Sequence, residues 1–216
     1  MPLNNSNVLI IDYGMGNLFN LEKVLKFMGA EAVVSSESSA LKHCRRAILP
    51  GVGAFGDGMK SIADRGLDEA IKKYVGSGKP LLGICLGLQL FMSKGEEFGL
   101  HNGLGLVRGE VKRFKDPKPE EGFYKIPHVG WNSLHPRQNV IWKKTIFDEV
   151  NEGSFVYFVH SYVVIPEDQQ VILAETEYAN IRFCSALHQG NIYGCQFHPE
   201  ISGEVGLSII KNFLCN

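Results

Sequence analysis

Cys85 stands between two glycines in the run Pro80-Leu81-Leu82-Gly83-Ile84-Cys85-Leu86-Gly87-Leu88-Gln89. A short apolar stretch suited to a buried strand ends at the thiol, and a helix-compatible apolar stretch follows at once. That pattern predicts a strand-to-helix elbow, which lifts a nucleophile clear of its sheet. The flanking glycines fit it, because the turn is crowded and its central residue is strained. Downstream, His198-Pro199-Glu200 supplies a base and a carboxylate to orient it. Two positions apart in an extended segment, these side chains project from one side, and Pro199 stiffens the link. Nucleophile, base and orienting acid are the parts of acyl transfer. A thiol at a helix N-terminus meets unpaired N–H groups, and a nearby imidazolium further favours the reactive thiolate. The Leu86 N–H, just after the nucleophile, points towards the developing oxyanion. A lone cysteine is more often a small buried hydrophobe. The glycine frame and the His-Pro-Glu triplet together favour catalysis.

The elements that must hold these groups alternate in the first half of the chain. Residues 8–12 read as a buried strand. Asn17 is an N-cap for a helix with Leu18, Leu21, Leu25 and Met28 on one face, ended by Gly29. Strands follow at 32–35 and 47–49, a helix at 67–75, and the strand feeding the elbow at 80–84. Such alternation implies a parallel sheet with helices on both faces. After Met92 the segments 104–114, 154–164, 171–176, 183–188 and 191–197 are strand-like, with a turn at Gln189-Gly190-Asn191. The last helix is 204–214, with Val205, Ile209 and Phe213 at four-residue spacing. Residues 112–122 are charged and contain proline, the composition of an exposed loop. With no repeat, low-complexity tract or linker, residues 1–216 read as one domain.

Gly83-Ile84-Cys85-Leu86-Gly87-Leu88-Gln89 together with Gln196-Phe197-His198-Pro199-Glu200 resembles the class I, triad-type glutamine amidotransferases. Four further runs are similar to the glutaminase subunits of imidazole glycerol phosphate synthase. They are Ile11-Asp12-Tyr13-Gly14-Met15-Gly16-Asn17, Leu49-Pro50-Gly51-Val52-Gly53-Ala54-Phe55, Lys125-Ile126-Pro127-His128-Val129-Gly130-Trp131-Asn132 and Phe158-Val159-His160-Ser161-Tyr162. The resemblance implies an α/β three-layer sandwich of flavodoxin-like type, with a mostly parallel central sheet and added antiparallel strands in the C-terminal half. It implies that Cys85 attacks the glutamine carboxamide, His198 shuttles protons and Glu200 holds its tautomer. The Leu86 amide and an amide at Val52 or Gly53 would form the oxyanion hole. Gly53, Gln89, His160, Ser161 and Tyr162 would cradle glutamine's amino-acid end. No cofactor and no metal is expected. The implied partner is a (β/α)8-barrel synthase, or cyclase, subunit in a heterodimer, which takes the ammonia for histidine biosynthesis and meets Asn17, Asn20, Pro127, Val129, Trp131 and Ile201. Two positions depart from the usual pattern. Ile201 follows His-Pro-Glu where the family has lysine, and Val129 replaces a methionine. Both touch the docking face, which leaves open a paralogous glutaminase serving another acceptor, such as a sugar amidation enzyme. A γ-glutamyl cysteine hydrolase is a further alternative.

Composition agrees. With 22 basic and 23 acidic residues the formal net charge is −1, so no basic field invites nucleic acid or an anionic membrane. Cys44, Cys85, Cys184, Cys195 and Cys215 are an odd, scattered set without a Cys-x-x-Cys pair, which predicts reduced thiols in a cytoplasmic protein. No signal peptide and no bilayer-spanning apolar run are evident. Gly51-Val52-Gly53-Ala54-Phe55-Gly56 matches the dinucleotide fingerprint literally. It follows the third strand candidate rather than the first, and Pro50 intrudes at the turn, so nucleotide binding is disfavoured. The histidines outside the triplet lack metal-ligand spacing. His160 on a very apolar strand reads, apart from the resemblance, as a satisfied core histidine.

Overall fold

The computed structural model describes residues 7–115 and 124–215. The first half contains β1 (Asn7–Ile11), α1 (Leu18–Phe27), β2 (Glu31–Ser35), β3 (Arg46–Leu49), α2 (Phe55–Asp64), α3 (Leu67–Gly76), β4 (Leu81–Ile84) and α4 (Leu86–Leu90). Ten strands follow. They are β5 (Lys94–Gly95), β6 (His101–Asn102), β7 (Gly109–Arg113), β8 (His128–Ser133), β9 (His135–Pro136), β10 (Phe155–His160), β11 (Tyr162–Pro166), β12 (Ile172–Tyr178), β13 (Ile181–Gln189) and β14 (Ile192–Cys195). Helix α5 (Gly203–Cys215) comes after β14. No helix among the described residues is long and apolar enough to cross a membrane.

The main sheet has the order β2-β1-β3-β4-β14-β13-β12-β9. Its first five strands run parallel and the last three antiparallel. Both faces are covered, so strand residues of both parities must be apolar. In β1, Val8 and Ile10 join the core under α1 and α5, while Leu9 and Ile11 join the core under α2 and α3. This is the three-layer α/β arrangement expected. Ligands in such sheets bind beyond the carboxyl ends of the strands. Tyr13 follows β1 there, Gly51 follows β3, and Cys85 follows β4.

Several segments differ from the sequence reading for tertiary reasons. Helix α2 carries Gly56 and Gly58, and its N-cap Ala54 offers no side-chain cap. Two interior glycines cost about 2 kcal/mol relative to alanine. Fully burying Phe55 and Ile62 stabilises by roughly 3–6 kcal/mol, so packing wins. Within 104–114, only Gly109–Arg113 is strand. The N–H groups of Leu104 and Val107 instead bond to the carbonyls of Leu90 and Phe91, satisfying the end of α4. Residues 154–164 are two strands, because Ser161 is where the chain leaves the pairing with β8 and joins β7. Lys112 and Arg113 end β7 rather than opening a loop, and the stretch 116–122 lies outside the described residues.

The elbow depends on close approach. A Cβ on Gly87 would sit 1.8 Å from the Leu49 carbonyl oxygen and 2.8 Å from its carbon, both backbone atoms. Gly87→Ala is therefore expected to destabilise the protein by about 1–3 kcal/mol, measured by denaturant unfolding. Gly76→Ala at the end of α3, where a Cβ meets nothing within 4 Å, is the control and should be neutral or slightly stabilising. Equal midpoints for the two variants would show that the elbow yields.

Candidate active site

Cys85 joins β4 to α4 with φ 53° and ψ −109°, a conformation unfavourable for a side chain-bearing residue. Such strain amounts to about 1–3 kcal/mol and persists only where the surroundings hold it. Here the Cys85 N–H donates to the Cys195 carbonyl at 2.8 Å. That bond continues the parallel register of β4 on β14, in which Ile84 faces Cys195. The same register delivers His198, three residues past β14, to the nucleophile's end of the sheet.

His198 and Glu200 do not lie on an extended segment as expected. Pro199–Ile201 form a 3-10 turn with His198 as its N-cap. The turn, rather than strand alternation, brings His198 Nδ1 to 2.8 Å from Glu200 Oε1. It is fastened to β10: His198 N–H donates to the Tyr157 carbonyl, Tyr157 N–H to Ser202 Oγ, and Ser202 Oγ–H to the His198 carbonyl. His198 Nε2 and Glu200 Oε2 are buried without hydrogen-bond partners among the described residues. Burial disfavours the imidazolium, but the Cys85 sulfur and the Glu200 carboxylate outweigh it and push the imidazole up to about 10. These two neighbours favour the protonated imidazole, the form that can protonate a departing amide nitrogen.

A cleft of ≈ 190 Å³ is lined by Cys85 together with Val52, Gly53, Leu86, Gln89, Pro127, Val159, His160, Ser161 and Tyr162. Its size suits an amino acid better than a drug-sized ligand, which takes 300 Å³ or more, to order of magnitude. The expected oxyanion hole is not assembled. Leu86 N–H donates to the Gly51 carbonyl at 3.3 Å instead of facing the cleft unpaired. In a planar trans peptide the C=O and the following N–H point in opposite directions. With the Gly51 carbonyl turned to Leu86, the Val52 N–H points away from it. The physical reason is local: the Gly51 carbonyl lies within reach of the Leu86 N–H, and a buried amide takes the acceptor at hand.

A model of the glutamine amidotransferase class-I family matches residues 9–216. The chain belongs to the class I glutamine amidotransferases. Among curated relatives of this amidotransferase, one from Legionella pneumophila (strain Lens), named imidazole glycerol phosphate synthase subunit HisH 1, is 44% identical over 97% of the chain and 99% of its own length. Subunits named HisH from Chlorobaculum tepidum and Geobacter sulfurreducens are 42% and 44% identical over 95% and 96% of the chain and 98% of their own lengths. A solved structure of PurLQS from Thermotoga maritima shares the fold, with TM-score 0.71 at 20% identity over 97% of each chain.

In and behind the amidotransferase cleft lie groups that sequence reasoning missed. Glu97 lines it, and its carboxylate accepts the Phe55 N–H at 2.7 Å, capping α2 from a distant loop. Burial pushes its carboxyl above the ordinary value. Gln196 Oε1 accepts from Gln89 Nε2, and Gln196 Nε2 lies 3.9 Å from Cys85 Sγ. Gln196 and His198 are two apart after β14, the spacing that would have flagged it. Of the expected docking residues, Pro127 alone borders the cleft. Trp131 is 54% exposed and Val129 55%, so neither is core.

His160 is both buried and cleft-lining. Its Nδ1–H donates to the Tyr162 carbonyl at 2.9 Å, so Nε2 accepts from His128 Nδ1 at 3.1 Å, and both rings are neutral. Burial holds His128 down at about 4 and His160 at about 3, against 6.5 for a free imidazole. Folded values below the unfolded one mean that the unfolded chain binds the protons first. The stability of the neutral pair is complete above pH ~6.5 and drains away as pH falls towards ~3. Urea midpoints should therefore drop between pH 7 and pH 4.5, and His160→Gln should flatten that drop. An unchanged slope in the variant would refute the assignment.

Proposed function

We propose that this chain is the glutaminase subunit of an imidazole glycerol phosphate synthase. In this reading it hydrolyses glutamine to glutamate and ammonia and passes the ammonia to a (β/α)8-barrel cyclase subunit of histidine biosynthesis. The observation that carries the chemistry is the strained Cys85 elbow beside a buried His198–Glu200 pair at 2.8 Å. The level and extent of similarity to HisH subunits favour the histidine-pathway acceptor over a sugar amidation enzyme.

The reaction runs as follows. Glutamine enters the cleft with its amino-acid end against Gln89, Glu97 and the backbone of Gly53 and 160–162. Cys85 Sγ attacks the carboxamide carbon, and the charge moves to oxygen. The tetrahedral species collapses as the C–N bond breaks, with the His198 proton passing to nitrogen and ammonia leaving. Water then gives a proton to His198 as its oxygen adds to the thioester carbon, and collapse expels the Cys85 thiolate and releases glutamate, whose surplus carboxyl proton is taken up by the ammonia set free. Glu200, hydrogen-bonded to Nδ1, keeps Nε2 directed at the sulfur throughout. Turning the Gly51–Val52 peptide would free Leu86 N–H and swing Val52 N–H in, which makes partner docking a natural switch.

The docking reading rests on β8 and its surroundings. Trp131, Val129 and Tyr157 share one face of the β8–β10 pair, and Trp131 and Tyr157 stack edge to face at 6.0 Å. Ile201 is 40% exposed in the turn that packs on α1, the helix that Asn17 precedes and Asn20 belongs to. An apolar surface with aromatic anchors is what a stable interface core requires. All five cysteines are free thiols, in keeping with a cytoplasmic protein. β14, from the second half of the chain, pairs directly with β4 from the first in one continuous sheet, which supports one domain. The test is glutaminase rate for the chain alone and with its cyclase subunit and cyclase ligand. Strong ligand-dependent activation is expected, and its absence would redirect the search to another acceptor.

A further inference from the structure

Tyr13 lies at the end of β1, outside the groups used above. Its side chain is fully buried, yet its hydroxyl has no hydrogen-bond partner among the described residues. Buried hydroxyls are rarely left so, because an unmade bond forfeits the hydration the group gave up. The phenol fills the space where Gly51 lacks a side chain: a Cβ on Gly51 would lie 2.0 Å from Tyr13 Oη. Gly51 is also the residue whose carbonyl covers the Leu86 N–H, through a bond at the long end of the range. The Tyr13 main chain is anchored, with its carbonyl accepting from Ser61 Oγ, so the ring is a fixed donor beside a peptide that must move.

We propose that Tyr13 is a positioning residue for the oxyanion hole, its hydroxyl receiving the Gly51 carbonyl when the Gly51–Val52 peptide turns towards the cleft. The turned peptide strips its carbonyl of the Leu86 N–H and needs another donor in a buried place. Tyr13 is a donor without an acceptor, at the right residue. One hydrogen bond then exists in the active arrangement and not in the resting one, so the hydroxyl favours the active state. Burial, with the Cys85 sulfur second, pushes the phenol's pKa up, and it keeps its proton at every pH where the enzyme works.

This rests on the glutaminase reading, and the test separates the two. Tyr13→Phe removes the oxygen and keeps the ring. Glutamine hydrolysis is measured for wild type and variant, each alone and with the cyclase subunit and its ligand, because every turnover passes through the turned peptide. The variant's kcat should fall about 3- to 12-fold in both formats, the worth of one net hydrogen bond. KM should stay within about twofold, since the hydroxyl does not touch glutamine. The thermal midpoint should be equal or higher, because the resting fold loses only an unpaired group. A wild-type kcat in the variant overturns the proposal, as does a kcat loss with a lowered midpoint, which marks the hydroxyl as structural. A wild-type chain that hydrolyses no glutamine in either format removes the glutaminase reading and this inference with it.

Discussion

Cys85→Ala is expected to abolish glutamine hydrolysis, and His198→Ala to come close to doing the same. Groups that act as a unit are not additive: removing any one leaves only what the remaining site does by binding and polarisation. A loss of about 10⁴-fold or more is expected for either single variant, and the double variant should be scarcely worse than Cys85→Ala. The fold should survive the cysteine change. Alanine keeps the Cβ, so the backbone at φ 53° is under the same strain, and the Cys85 N–H bond to Cys195 is retained. The sulfur's contacts to the Val159 carbonyl at 3.7 Å and to Gln196 at 3.9 Å are weak, and its stronger partner is the His198 imidazole. Glutamate release should therefore be lost while the chain still folds cooperatively, with at most a modest fall in the thermal midpoint. Retained turnover in Cys85→Ala would end the triad assignment.

Docking of the proposed cyclase subunit is expected to raise kcat by about 10²–10³-fold, the value of a recovered oxyanion donor. The resting geometry is the reason. Leu86 N–H is occupied by the Gly51 carbonyl, and planarity of that peptide turns the Val52 N–H away. Gly51 has no Cβ to oppose the change, and Gly53 already has φ 128°, where a side chain would be strained. The gain should fall on kcat, with KM for glutamine moving little, because the contacts to the amino-acid end are present before the peptide turns. Steady-state kinetics with and without the partner read this split directly. A chain that is fully active alone would mean that the oxyanion donors are available without docking.

Much of the site was legible because its signals are local. Gly83-Ile84-Cys85-Leu86-Gly87 encodes its own elbow: apolar run, strained centre, and glycines where Leu49 and Phe91 press closest. His198 and Glu200 were recognisable by type and spacing, although a 3-10 turn, not an extended segment, unites them. The strands of the parallel half were readable from continuous apolar runs, since burial on both faces removes polar alternation. Glu97, Gln196 and Ser202 were not. Each acts on a residue far along the chain or through a backbone group, and only Gln196, two positions before His198, carries a spacing that could have marked it. Helix α2 was missed for a related reason, its two glycines arguing against a helix that Phe55, Ile62 and the remote Glu97 cap maintain.

What the sequence determined by itself is the chemistry and its class of scaffold: a thiol, an imidazole and a carboxylate, on alternating strands and helices. Residue type and short-range spacing carry that information. Only the tertiary structure decided the direction of the Gly51–Val52 peptide, the change of sheet at Ser161, and the register that sets Cys85 beside the continuation of β14. Those are choices among hydrogen-bond partners distant in sequence. They are made where a backbone N–H or C=O must find a mate after the sheet has closed around it.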